Sequence, residues 1–216
     1  MIKRVIFDID STLIPWKEEY NTEIKNVLDN LKISYIDEDL VQLSKAFDEY
    51  ENQHFTFNKK TMIEFINEFT KKQYPEKVVY DIIDRWSNCV PDKIDSNIEK
   101  TLEYLQSKYE MVILTDWYAE PQKKRLEKLD ILKYFSKVYS AEKTKRKPFK
   151  EAFLQAIGDN KPEECIMIGD NIERDIEGAL NAGLKAVYYN PNNKIEKIEN
   201  AEYYKISNLE ELKEIL

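Results

Sequence analysis

Glycine is scarce in this chain of 216 residues: only Gly158, Gly169, Gly178 and Gly183 occur, and the first 157 residues hold none. Neither GxxxxGK followed by Ser or Thr nor GxGxxG can be written with them, so a P-loop and a dinucleotide fingerprint are excluded. Cysteine is scarcer still. Cys89 and Cys165 stand far apart with no CxxC spacing, which reads as two reduced, mostly buried thiols and no zinc site. Positive charge is in deficit, 33 Lys and Arg against 41 Asp and Glu for a net charge of -8, which argues against a nucleic-acid polymer or an anionic membrane as partner. No stretch approaches the roughly 18 apolar residues of a membrane span. Val5, Ile6 and Phe7 run straight into Asp8 instead of a signal-type apolar segment, and a cytoplasmic location is expected.

What the chain does contain is the alternation of an α/β fold. Val5-Ile6-Phe7 before Asp8, Met111 to Leu114 before Thr115, and Ile166-Met167-Ile168 before Gly169-Asp170 are too short for helices and apolar without a break. That is the pattern of strands buried on both faces of a parallel sheet. Leu184 to Tyr189 and the shorter Val138-Tyr139 read similarly. Helical spacing lies between them: Ile98, Thr101, Leu102 and Leu105; Leu126 and Leu129; Phe149, Phe153, Ala156 and Ile157.

Residues 16–92 interrupt the alternation with four apolar stripes in a row: Tyr20, Ile24, Val27, Leu28 and Leu31; Leu40, Leu43, Phe47 and Tyr50; Met62, Phe65, Ile66 and Phe69; Val79, Ile82, Ile83, Trp86 and Val90. Pro75 and Pro91 fall where helices stop. The expectation is a doubly wound parallel sheet built from residues 1–15 and 93–216, with an all-helical module, residues 16–92, inserted after its first strand.

Ligands of open α/β sheets bind at the carboxyl ends of the strands. The residues there are Asp8 and Asp10, Thr115 and Asp116, and Asp170, three polar clusters from distant parts of the chain. Carboxylates gathered this closely raise one another's pKa unless a cation sits among them, and hard oxygen ligands suit Mg²⁺.

The segment VIFDIDSTL, Val5 to Leu13, resembles the DxDxT signature of the haloacid dehalogenase (HAD) superfamily, whose members are mostly phosphatases. Val112 to Thr115 resembles its second motif, a strand ending in Thr or Ser. Lys147-Pro148, with Phe153 six residues after the lysine, resembles the third, and Gly169-Asp170 with Asp175 five further on resembles the fourth. The motifs occur in order, and the helical insertion lies where one subclass of the family carries its cap. The resemblance implies a phosphatase acting on a small phosphorylated metabolite through an aspartyl-phosphate on Asp8, with Asp10 as general acid and base. It implies Mg²⁺ held by the Asp8 carboxylate, the Asp10 backbone carbonyl and the Asp170 carboxylate, with Asp175 and Thr12 in support. Thr115, Asp116 through its amide, and Lys147 would hold the phosphoryl group.

Two departures stand out: Asp116 occupies a place where many members have Asn or Gly, and Phe149 one where an acidic residue is frequent. Lys143 and Lys145 are rivals for the phosphate lysine, but the spacing to Phe153 favours Lys147. A true dehalogenase fits poorly because a halide leaves without a proton and Asp10 would have no task. A phosphate-accepting receiver domain shares the Lys-Pro-Phe run, but Gly169-Asp170 follows that lysine here, in the wrong order. A noncatalytic binding protein is disfavoured because no motif residue is missing. Trp16, Lys17 and Tyr20 mark the cap entrance as candidate substrate contacts, and their aromatic character leans toward a nucleotide; sugar phosphates, phosphoglycolate and flavin mononucleotide remain open. His54 reads as a packed or solvated histidine. Residues 15–92 hold 10 Lys and Arg against 16 Asp and Glu, so most of the excess negative charge belongs to the helical segment.

Overall fold

A computed structural model describes residues 1–15, 20–194 and 201–216. In chain order its elements are β1 (Arg4–Phe7), α1 (Tyr20–Asn30), α2 (Asp37–Gln53), α3 (Lys59–Thr70), α4 (Glu76–Arg85), α5 (Ser96–Gln106), β2 (Glu110–Leu114) and α6 (Ala119–Lys128). There follow β3 (Lys137–Tyr139), α7 (Lys150–Ile157), β4 (Cys165–Gly169), α8 (Gly178–Asn181), β5 (Lys185–Tyr189), β6 (Tyr204–Ile206) and α9 (Leu212–Ile215). The chain divides into two compact units, one of Met1–Trp16 with Pro91–Leu216 and one of Lys17–Val90.

The first unit is built on a parallel sheet in the order β3-β2-β1-β4-β5-β6. Winding runs outward from β1 in both directions, the doubly wound arrangement that leaves a switch point beside β1 and β4. Strands β1, β2, β4 and β5 are buried on both faces over most of their length, as their unbroken apolar runs predict. Ile6, Val112, Leu114, Met167 and Tyr188 pack on one face against Phe153 and Ala156 of α7 and Ala179 of α8. Val5, Phe7, Ile113 and Ile168 alternate to the other face and are as deeply buried. Helix α5 starts where the Asp95 side chain accepts the Asn97 amide at 2.8 Å, a cap that satisfies one orphan donor.

The second unit is a helical bundle with an ordinary apolar core. Ile24, Val27 and Leu28 of α1, Leu43, Phe47 and Tyr50 of α2, Met62 and Ile66 of α3, and Val79, Ile82 and Ile83 of α4 are buried. Full burial of each aliphatic side chain contributes roughly 1.5–3 kcal/mol. The Asn58 side chain caps α3 by accepting from the Lys60 amide at 2.9 Å. Trp86 closes the bundle: its Nε1 donates to the Tyr20 carbonyl at 3.1 Å, and its ring meets those of Tyr20 and Phe47 edge-on at 5.5 and 4.7 Å. No described helix is long and apolar enough to cross a membrane.

Candidate active site

Because β2, β1 and β4 are neighbours, Thr115, Asp8 and Asp170 leave the sheet side by side at its carboxyl edge. Asp8 still pairs with the sheet, its amide donating to the Ile168 carbonyl at 2.9 Å. Past it the chain curls into a single turn in which the amides of Leu13 and Ile14 both donate to the Ile9 carbonyl at 2.9 Å. Ser11 takes the left-handed conformation in this turn, φ 63°. The curl brings Thr12 back under the site, its hydroxyl 3.5 Å from both Asp8 Oδ2 and Asp170 Oδ1.

Lys147 lies at the centre. Its Nζ donates to Asp8 Oδ1 at 2.6 Å and to Asp175 Oδ1 at 2.7 Å, and all three residues are buried. The remaining Asp175 oxygen accepts the Asn171 amide at 3.0 Å, so Asp175 is pinned between the start of the helical turn it sits in and the lysine it faces. Gly169 is required here: a Cβ on it would stand 2.3 Å from the Asp175 carboxyl. Gly178 serves the same purpose for the lysine loop, since a Cβ there would stand 2.7 Å from the Phe153 ring and 2.9 Å from the Pro148 backbone. The rival Lys145 instead pairs with Glu151 at 3.0 Å.

Asp116 commits one carboxylate oxygen to the backbone. Its Oδ1 accepts the Lys147 amide at 2.8 Å, tying the loop after β2 to the loop that carries the lysine. Thr115 accepts twice, from Gln122 Nε2 at 2.9 Å and from the Trp117 amide at 3.2 Å. Gln122 and Arg125 escaped the sequence reading. Gln122 Nε2 donates to Asp10 Oδ2 at 2.7 Å, and Arg125 Nη1 donates to Asp10 Oδ1 at 2.5 Å. The signal that could have found them is their place seven and ten residues after Thr115, on the helix that starts at the strand's carboxyl end.

The electrostatics follow from burial and crowding. Burial pushes the Asp8 carboxyl well above the usual carboxylate range, against the pull of Lys147, and Asp175 and Asp10 push the same way. Asp170 is raised to about 6, by burial first and by Asp175 second. Burial disfavours the Lys147 ammonium, but Asp175, Asp8 and Asp116 outweigh it and hold the lysine well above its ordinary value. Asp116 is raised by burial.

Asp8, Asp170 and Asp175 each offer an oxygen, and these atoms lie within 4.8 Å of one another. When ionised they leave two negative charges beyond what the one ammonium cancels. An all-oxygen, anionic, crowded set of this kind fits a hard divalent cation such as Mg²⁺. The expected ligands Asp8 and Asp170 belong to it, while both oxygens of Asp175 already accept hydrogen bonds from Lys147 and Asn171.

The candidates on the helical unit fare differently. Tyr20 packs its ring against Trp86. His54 stacks on the Tyr50 ring at 4.0 Å with its Nδ1 3.0 Å from the Tyr50 carbonyl, a packed histidine. Trp16 and Lys17 lie outside the described residues.

Residues 5–189 match the haloacid dehalogenase-like hydrolase family. The human N-acylneuraminate-9-phosphatase is 25% identical across 100% of this chain and 94% of its own length. The pyrimidine 5'-nucleotidase PynA of Streptococcus pneumoniae is 33% identical, but over 46% of this chain and 41% of its own. Among solved structures, the HAD-hydrolase YfnB of Bacillus subtilis bound to magnesium superposes with a TM-score of 0.70 at 20% identity, over 99% of this chain and 98% of that one. The sheet order, the strand-end carboxylates and these matches agree, and the chain belongs to the haloacid dehalogenase-like hydrolases, on their phosphatase branch.

Proposed function

We propose that this chain is a Mg²⁺-dependent phosphatase that hydrolyses a small phosphate monoester in two steps on Asp8. The observation that carries the reading is the convergence, at one sheet edge, of a buried carboxylate paired with a buried lysine, a second carboxylate two residues on, and a strand-end threonine. An Asp8 carboxylate oxygen attacks phosphorus, and the bond from phosphorus to the alcohol oxygen breaks. Asp10 gives its proton to that oxygen. Asp10, now ionised, takes a proton from water as the water attacks the aspartyl-phosphate, releasing inorganic phosphate and restoring Asp8. Lys147 and the Thr115 hydroxyl stabilise the phosphoryl oxygens as charge moves onto them. Asp8, Asp170 and the Asp10 carbonyl would hold Mg²⁺, which supplies further positive charge for those oxygens and keeps Asp8 ionised.

The helical unit serves as the cap that selects the leaving group, and the cytoplasm is the compartment that suits two reduced cysteines. For the substrate, the lean toward nucleotides drew on Trp16 and Tyr20, and the Tyr20 ring is taken up by Trp86. The acylneuraminate phosphatase resembles the whole chain and the nucleotidase less than half of it, so a phosphorylated sugar ranks ahead of a nucleotide. The test is a panel of sugar phosphates, nucleoside monophosphates and phosphoglycolate, assayed with Mg²⁺ and with EDTA. Sugar phosphates should be hydrolysed fastest, and only with Mg²⁺. No hydrolysis of any ester would overturn the phosphatase reading, and nucleotides turned over faster would overturn the ranking.

A further inference from the structure

The proposed chemistry leaves two buried polar side chains of α6 without a task. Gln122 is fully buried and Arg125 nearly so, three residues apart and therefore on one face of the helix. Arg125 Nη1 donates to Asp10 Oδ1 at 2.5 Å and to Gln122 Oε1 at 2.8 Å. Gln122 Nε2 donates to Asp10 Oδ2 at 2.7 Å and to Thr115 Oγ1 at 2.9 Å. Both carboxylate oxygens of Asp10 are thus gripped, and the two gripping side chains also hold each other.

Stability alone is a poor reason for this arrangement. Burying a guanidinium and an amide against a carboxylate is costly, and apolar side chains would seat the helix as well or better. Asp10 does not need the pair for solvation, because its side chain keeps 28% of its exposure. What the pair does supply is direction. Thr115 Oγ1, accepting from both Gln122 and the Trp117 amide, is left to act as a donor with its own proton.

We propose that Gln122 and Arg125 are positioning residues that fix the orientation of the Asp10 carboxyl group, so that in its protonated form it faces the leaving oxygen it protonates, with Gln122 also aiming the Thr115 hydroxyl. The inference rests on the reading of Asp10 as general acid. It has a signature that a merely structural role lacks, because p-nitrophenolate leaves without needing a proton and an alkoxide does not. Misplacing Asp10 therefore harms alkyl esters selectively.

The experiment compares kcat/KM for p-nitrophenyl phosphate with that for the best alkyl ester of the substrate panel, in wild type, Arg125→Met, Gln122→Met, Arg125→Lys and Asp10→Asn, with folding followed by circular dichroism. The alkyl-to-aryl ratio should fall on the order of 10- to 100-fold in Arg125→Met and Gln122→Met. Arg125→Lys, which keeps a charged donor but loses the fork, should lie between these and wild type. If Arg125→Met fails to fold, Gln122→Met and Arg125→Lys carry the comparison. A ratio lowered by Asp10→Asn but left at the wild-type value in the α6 variants overturns the positioning role alone. A ratio unmoved by Asp10→Asn overturns the general-acid reading and this inference with it.

Discussion

The two units of the molecule spend their interiors differently. Of the buried polar and charged residues described, Ser87 alone belongs to Lys17–Val90, whereas Asp8, Thr12, Thr115, Gln122, Arg125, Lys147 and Asp175 all belong to the α/β unit. An unpaired buried charge costs several kcal/mol and an unsatisfied buried polar group somewhat less, so the four charged and three neutral side chains of this set all have to be matched, and the partners come from separate chain segments. The helical unit has no such obligation. Its core is held by volume and apolar area, which many sequences can satisfy, and its face is free to specialise.

That contrast can be broken most sharply at Asp8. Asp8→Asn keeps the shape and removes one of three crowded carboxylates, so hydrolysis of the best panel ester should fall by on the order of 10⁴-fold or more. Its melting temperature should stay level or rise. Turnover near the wild-type rate would remove Asp8 as nucleophile. Lys147→Met should instead damage both properties. It leaves Asp8 and Asp175 buried without their shared cation, a loss of about 3–5 kcal/mol by urea denaturation without Mg²⁺. Part of that loss should return when Mg²⁺ is added, and equal stability with and without Mg²⁺ would show that the lysine and the metal do not share this charge.

Much of the α/β unit was legible because strands buried on both faces need unbroken apolar runs, and because the residue ending each run has to be polar if it meets a ligand. Asp8, Thr115 and Asp170 could be read for that reason. Strand β6 could not: it is three residues long, and only Ile206 is buried. The grip on Asp10 was hidden by composition, since residue type in AEPQKKRLEK does not separate Gln122 and Arg125 from the lysines between them and only their distance from Thr115 hints at the site. Only the fold decides which face turns inward. Asp116 posed the reverse problem: its charge was visible, but its acceptor role toward the Lys147 amide, 31 residues away, was not.

On the helical side, Leu28 is fully buried, and Leu28→Ala should cost about 2–5 kcal/mol in urea denaturation. Activity on p-nitrophenyl phosphate, measured where the variant is folded, should remain near wild type because none of the buried reacting groups belongs to that unit. A drop in kcat comparable to that of Lys147→Met would show that the two interiors are coupled after all.

The smallest effect is a pH-dependent one and concerns the charge the α/β unit has to balance. Asp170 has a folded-state pKa of about 6 against an ordinary 3.8. Between those values the folded chain holds a proton that the unfolded chain has lost, so metal-free stability declines as pH rises through that window and levels off above about pH 6. A cation in the carboxylate cluster replaces that proton and offsets the loss, but below pH 6 it competes with protons for the same oxygens. At about tenfold excess over its dissociation constant, a ligand of the folded state adds roughly 1.4 kcal/mol, or about 3–6 °C in melting temperature for a chain of this size. Melting curves with and without Mg²⁺ should therefore separate by that amount at pH 7.5 and converge toward pH 5. A separation that is constant across this range would mean that Mg²⁺ binds elsewhere, and the helical unit, with its surplus of surface carboxylates, would become the place to look.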